Sequence, residues 1–165
     1  MTAFVSPDSP RLWAEARRLV QEYAASLGVD LSFQDFDREI ASLEHEYGPP
    51  DGHFLLAVDD ERFVGCGGFR RLTAESCEMK RLYVAPAARG TGAGRALAVA
   101  LIGEARRRGY EAMLLDTLPS MQDAQRLYAS LGFEPTAPYR FNPVEGTSFL
   151  RLPLTTADPG PSSPV

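Results

Sequence analysis

Apolar residues recur at helical spacing from Leu12 through Trp13, Ala16, Val20, Tyr23 and Leu27, with Ser9-Pro10 in front and Gly28 behind. Serine followed by proline is a helix start and glycine a helix stop, so this stretch predicts a first helix. A second, shorter helix is predicted after Ser32, where Asp35 three residues on makes a weak capping box and Phe36, Ile40 and Leu43 mark one face. The run Gly48-Pro49-Pro50-Asp51-Gly52 ends it.

The period then changes. Residues 54–58 and 63–66, joined by the polar turn Asp59-Asp60-Glu61-Arg62, read as a β-hairpin, and Gly67-Gly68 signals a bulge or bend. From Cys77 to Val84 strand alternation is expected to put Glu78, Lys80, Leu82 and Val84 on one face and Met79, Arg81 and Tyr83 on the other. After Pro86 a glycine-rich turn leads into the helical stripe Leu97, Leu101, Ile102 and Ala105, which stops at Arg106-Arg107-Arg108-Gly109. Residues 112–116 form a short apolar run of the kind found in buried parallel strands. Pro119-Ser120 with Asp123 starts a last helix carrying Ala124, Leu127, Tyr128 and Leu131, and residues 133–139 and 147–152 supply two final strands. The tail, residues 155–165, is rich in Pro, Gly, Ser and Thr and is expected to be disordered. One domain over residues 1–154 accounts for the rest.

Composition narrows the function classes. The 165 residues are 44% hydrophobic and 24% charged, an ordinary globular composition with enough apolar surface for one core. A net charge of −5 argues against a nucleic-acid partner. No stretch approaches a membrane span or a secretory leader, and two cysteines are too few for a disulfide scaffold, so a soluble cytoplasmic protein is expected. His45 and His53 have no metal-spaced partners, and no metal is expected.

Against that acidic background, residues 78–108 carry seven basic and two acidic side chains. Inside them lies Arg89-Gly90-Thr91-Gly92-Ala93-Gly94-Arg95, placed between a strand and a helix, where backbone amides and the positive end of the helix dipole converge on an anion. A P-loop needs Lys-Ser or Lys-Thr after its last glycine, and Arg95-Ala96 stands there instead. The dinucleotide fingerprint is met only in part.

The loop does meet the pattern Arg or Gln, two residues, Gly, one residue, Gly or Ala, as Arg89, Gly92 and Gly94. Together with Leu82-Tyr83-Val84-x-Pro86 before it and Ala124-x-x-Leu127-Tyr128-x-x-Leu131-Gly132-Phe133 after it, the chain from about Phe54 to Leu152 resembles the GNAT superfamily of acyl-CoA-dependent N-acetyltransferases. The resemblance implies the α/β GNAT fold: one mixed sheet of six to seven strands, largely antiparallel at its start, with one parallel crossover and helices on both faces. It implies acetyl-CoA as cofactor, with the pyrophosphate on the amides of Arg89, Gly90, Thr91, Gly92, Ala93 and Gly94, and with Arg95 beginning the helix. It further implies that the pantetheine arm runs along Leu82, Tyr83 and Val84. Tyr128 matches the tyrosine placed near the CoA sulfur, where a phenol can protonate the departing thiolate. Glu78, eleven residues before Arg89, matches the glutamate general base of some branches; its plain alternative is an ion-pair partner of Lys80 or Arg81. A buried setting from Phe69, Met79 and Tyr83, or a relaying water, is expected if it is the base. Seven residues before Tyr128 the family's frequent asparagine is replaced by Met121, with Ser120 adjacent.

The acceptor implied is a primary amine, with a small molecule favoured over a protein. Between Tyr23 and Glu61 ten acidic residues face one basic residue, a face suited either to a cationic amine or to solubility alone. Asp116, Thr117 and Tyr139 are further candidate wall residues. A homodimer is compatible with all of this. The rival from another class is a non-catalytic acyl-CoA-binding sensor module.

Overall fold

The computed structural model describes residues 2–32 and 35–155. Residues 156–165 of the expected disordered tail lie outside the described residues. The elements in chain order are β1 (Ala3–Val5), α1 (Pro10–Leu27), α2 (Phe36–Ala41), α3 (Leu43–Tyr47), β2 (His53–Asp59), β3 (Arg62–Arg71) and β4 (Ser76–Val84). A short 3-10 turn (Pro86–Ala88) leads to α4 (Ala93–Arg107), β5 (Ala112–Thr117), α5 (Gln122–Ser130), β6 (Glu134–Pro135) and β7 (Ser148–Pro153).

The seven strands form one mixed sheet in the order β1-β2-β3-β4-β5-β7-β6. Every neighbouring pair is antiparallel except β4 and β5, whose parallel pairing requires the crossover through α4. Two apolar clusters sandwich the sheet. One gathers Leu97, Leu101 and Ile102 of α4 and Tyr128 of α5 against Met79 and Met113. The other gathers Ala16, Leu19 and Val20 of α1 and Leu43 and Tyr47 of α3 against Phe54 and Leu56. Each fully buried leucine or valine contributes roughly 1.5–3 kcal/mol to holding its helix on the sheet. No helix among the described residues is long and apolar enough to cross a membrane.

Helix α1 starts as its sequence signals require: Ser9 Oγ accepts from Leu12 N–H at 3.2 Å, Pro10 follows, and Gly28 caps the end at φ +66°. Three local expectations are corrected. The single second helix is two, broken at Ser42, because Ser42 leaves helical geometry at φ −137° and its N–H turns back to Glu39 O. Helix α5 begins at Gln122 rather than at Ser120, with no side-chain cap at Met121. The strand expected over residues 133–139 is only Glu134–Pro135, since Pro135 and Pro138 have no N–H for a ladder.

The correction with most consequence lies in β4. Strand alternation holds as far as Lys80 and then breaks: Gly68 pairs with Lys80 and Cys66 with Tyr83, so Gly67 alone opposes both Arg81 and Leu82. Arg81 sits at φ +62°, a left-handed conformation costing about 1–3 kcal/mol at a non-glycine residue. Beyond this bulge the faces exchange. Leu82 and Val84 join Met79 on the α4 side, and Tyr83 faces α1. Arg81 thereby reaches Glu39 of α2 on the face that Glu78 and Lys80 already occupy.

Candidate active site

Strands β4 and β5 pair only from Ser76 to Glu78 against Ala112 to Leu114. Past that point they diverge, leaving the β5-side backbone of β4 from Met79 onward without a sheet partner. A cavity of about 680 Å³ fills the splay, with Leu82, Tyr83, Val84 and Arg89 on one wall and Met121, Ala124 and Leu127 on the other. Parallel strands that part at their carboxyl ends beside a helix N-terminus are the usual place for a ligand in an α/β sheet.

The mouth of the cavity is the glycine loop. Gly90 and Gly92 stand at φ +81° and +85°, conformations that L side chains resist. Side chains of the loop are drawn away from its centre: Arg89 Nε donates to Val84 O at 3.0 Å, Thr91 Oγ1 to Ala88 O at 2.7 Å, and Arg95 Nη1 to Ser130 Oγ at 2.8 Å. Gly92 offers no side-chain cap, and the first-turn amides of the 15-residue α4 have no acceptor within their own helix. This geometry suits a diphosphate. Of the residues the sequence nominated for it, 89–95, Arg89 and Gly94 line the cavity, and residues 82–84 form part of its wall.

The inner end is a narrow recess that shares Tyr23, Leu27, Leu82 and Met121 with the cavity and is closed by Lys80, Arg81, Asp116, Tyr128 and Asn142. Tyr128 is 5% exposed, and burial pushes its phenol pKa up. Asp116 Oδ2 accepts from Asn142 Nδ2 at 3.2 Å, which fixes the carboxylate at the recess wall. Thr117 is buried with its hydroxyl unpartnered among the described residues and does not line the recess.

Glu78 is not brought to the crevice. It is wholly buried, accepts from Tyr139 Oη at 2.7 Å and from Arg140, and lies 3.6 Å from Arg70 Nε. The surroundings expected for it are absent, because Phe69 and Met79 belong to the α4 face and Tyr83 lies beyond the bulge. Among the described residues its ion-pair partners are Arg70 and Arg140. Arg81 instead grips Glu39 with two bonds, 2.8 and 3.0 Å, both side chains 2% exposed, and its guanidinium lies over the Phe36 ring. The two charges hold each other ionised: the carboxyl of Glu39 lies below its ordinary range despite its burial, and Arg81 above its own.

At least four of the ten acids in the amino-terminal acidic stretch are paired with arginines within the fold. Glu44 pairs with Arg17, Glu46 with Arg70 and Asp51 with Arg71, in addition to Glu39 with Arg81. Cys66 and Cys77 are both buried free thiols, with burial pushing the Cys77 pKa up to about 12, which makes it a poor nucleophile. No group of acids, histidines and cysteines among the described residues has metal-site geometry. Sequence reasoning missed Arg70, Arg140 and Asn142. Arg140 and Asn142 stand in an irregular loop whose only signal was its prolines, and their contacts with Glu78 and Asp116 cross 62 and 26 residues of chain.

A parallel strand-loop-helix crossover, with a glycine-rich turn at the start of its helix and two strands that splay beside it, is shared with a known class of proteins. The model of the acetyltransferase (GNAT) family matches residues 13–133, and the chain belongs to that family. An uncharacterized N-acetyltransferase of Schizosaccharomyces pombe is 41% identical over 141 residues, covering 84% of this chain and 86% of that protein. The uncharacterized N-acetyltransferase YjgM of Escherichia coli is 33% identical over 131 residues, covering 77% of each. In fold, a GNAT-family acetyltransferase from Staphylococcus aureus superposes with a TM-score of 0.77 at 20% identity, over 94% of this chain and 100% of that one. The acetyltransferase yncA from Salmonella typhimurium, solved with its cofactor acetyl-CoA, superposes with a TM-score of 0.69 at 24% identity, over 94% and 95%. The protein is thus an N-acetyltransferase of a family that uses acetyl-CoA.

Proposed function

We propose that this protein moves the acetyl group of acetyl-CoA onto a primary amine of a small molecule by direct attack, with no acetyl-enzyme intermediate. The observation that carries the reading is adjacency: the cavity that holds Arg89, Gly94 and residues 82–84 in its wall shares Tyr23, Leu27, Leu82 and Met121 with the recess that Tyr128 lines.

In this scheme the amides of residues 89–94 bind the pyrophosphate, and Arg95 continues the seat into α4. The unpaired β4 edge at Leu82, Tyr83 and Val84 holds the pantetheine arm, and an amide there polarises the thioester carbonyl. The amine, placed at the recess, attacks the carbonyl carbon; the C–N bond forms, the C–S bond breaks, and Tyr128 gives its proton to the sulfur. Burial keeps that proton on the phenol until charge develops on the sulfur, and the same dry setting makes a bare thiolate costly. Asp116 faces the incoming amine. Glu78, enclosed by Tyr139 and Arg140, takes the amine proton in this scheme only through a relay. The small acceptor is supported by the narrowness of the recess and by its closure with buried side chains. Met121 stands where the family resemblance leads one to expect asparagine, and its side chain lines the cavity without a hydrogen-bond donor.

Calorimetry with acetyl-CoA, followed by thiol release across a panel of small primary amines and amine-terminated peptides, tests the reading. Binding with release by small amines is expected. Binding with no release by any amine would identify a sensor, and release by peptides alone would move the acceptor to proteins.

A further inference from the structure

The chain carries 17 basic residues, and sixteen of them are arginine; its one lysine is Lys80. Arginine cannot give up its proton in a protein, whereas lysine can. On the surface, at helix ends and in the buried Glu39 pair this chain places arginine, so the single exception marks a position where a guanidinium does not serve. That position is the recess. Lys80 is 6% exposed and lines the recess with Asp116, Tyr128 and Asn142, where the acceptor nitrogen must arrive.

Among the described residues, the titratable and charged groups around it include Tyr23 of α1, Glu39 of α2, Arg70 of β3, Glu78 and Arg81 of β4, Asp116 of β5 and Tyr128 of α5. Glu39 and Glu78 are engaged by Arg81 and by Arg140 with Tyr139. Burial and the guanidinium groups of Arg81 and Arg70 outweigh the pull of those two acids, and the Lys80 pKa is pushed down to about 7.

We propose that Lys80, as a neutral amine, is the catalytic base that takes the proton from the acceptor nitrogen, the part for which Glu78 is too enclosed. The proposal rests on direct attack of an amine on acetyl-CoA. As the C–N bond forms, Lys80 Nζ accepts one proton from the attacking nitrogen. As the C–S bond breaks, Tyr128 supplies one to the sulfur. Lys80 then releases its proton to solvent and the Tyr128 phenolate regains one, so amine and acetyl-CoA become amide and CoA thiol with both side chains restored.

Lys80→Arg keeps the positive charge but cannot act as a base, and Lys80→Met removes both. Each is expected to lower kcat at pH 7 by about a hundredfold or more while acetyl-CoA affinity by calorimetry stays unchanged. In the wild type kcat rises with pH through about 7 as Lys80 loses its proton, and Lys80→Arg loses that rising limb. Because the chain has one lysine, protein grown with isotope-labelled lysine gives a single ε-amine signal. Its titration near 7 in the unaltered enzyme is expected without recourse to any variant. Either variant retaining wild-type kcat and pH profile overturns the proposal, as does an ε-amine titrating near the ordinary value of about 10.4. Acetyl-CoA binding with no thiol release by the wild type overturns direct transfer itself, whereas undiminished release by Lys80→Arg overturns only the role of Lys80.

Discussion

The two ends of the crevice are built from different materials. At the glycine-loop end the chain is exposed and three of its side chains, Arg89, Thr91 and Arg95, are tied to neighbouring groups. At the recess end the lining is largely side chain, with Lys80 and Arg81 more than nine-tenths buried and Glu39 and Glu78 buried behind them. A backbone site depends on which φ angles the loop can adopt and tolerates exchange of most side chains. A side-chain site inverts this: its backbone is ordinary strand apart from one bulge, and every charge depends on a partner that water cannot replace.

Substitutions should therefore divide by location. The largest effect on turnover is expected for Tyr128→Phe, which removes the proton donor and leaves the cavity shape: kcat should fall about 10²–10⁴-fold with acetyl-CoA affinity preserved. Steady-state kinetics beside calorimetry checks this, and an unchanged kcat removes Tyr128 from the reaction. Next comes Glu39→Ala, which strands the Arg81 guanidinium in the interior. A loss of about 3–5 kcal/mol in urea unfolding is expected, against a change near zero for Glu44→Ala, whose pair with Arg17 is exposed. At the backbone end, Gly92→Val forces a β-branched residue to φ +85° at a cost of about 1–2 kcal/mol. Open space surrounds that Cβ position, so no clash adds to the strain, and roughly tenfold weaker acetyl-CoA binding is expected with a stability loss no larger than that strain.

The smallest effect expected lies away from both ends. Burial and Arg108 push the His53 pKa from 6.5 down to about 4, so the native ring stays neutral while an unfolded one takes a proton. The stability this contributes is complete above about pH 6.5 and is lost as pH falls toward 4. Urea titrations at pH 7 and pH 4.5 should show the wild type losing stability relative to His53→Gln.

The contrast also explains what could be read in advance. Residues 89–94 were legible because a tight turn into a helix restricts residue types at neighbouring positions, and Ser9 with Gly28 bounded α1 for the same reason. The bulge at Arg81 was not legible: its cause is the mismatch between β3 and β4 around Gly67, a property of two strands at once. Simple alternation therefore put Leu82 and Val84 on the wrong face. The enclosure of Glu78 was equally hidden, since Tyr139 and Arg140 are 61 and 62 residues away along the chain.

The amino-acid sequence by itself determined the family, the crossover with its glycine-rich turn, and the helices that flank it, because these depend on short-range backbone preferences and the spacing of apolar residues. Only the tertiary structure decided which charged side chains line the recess and which are sealed behind it. Burial and pairing across the sheet arise from contacts between distant segments, and the protonation of a group such as Lys80 depends on that surrounding field.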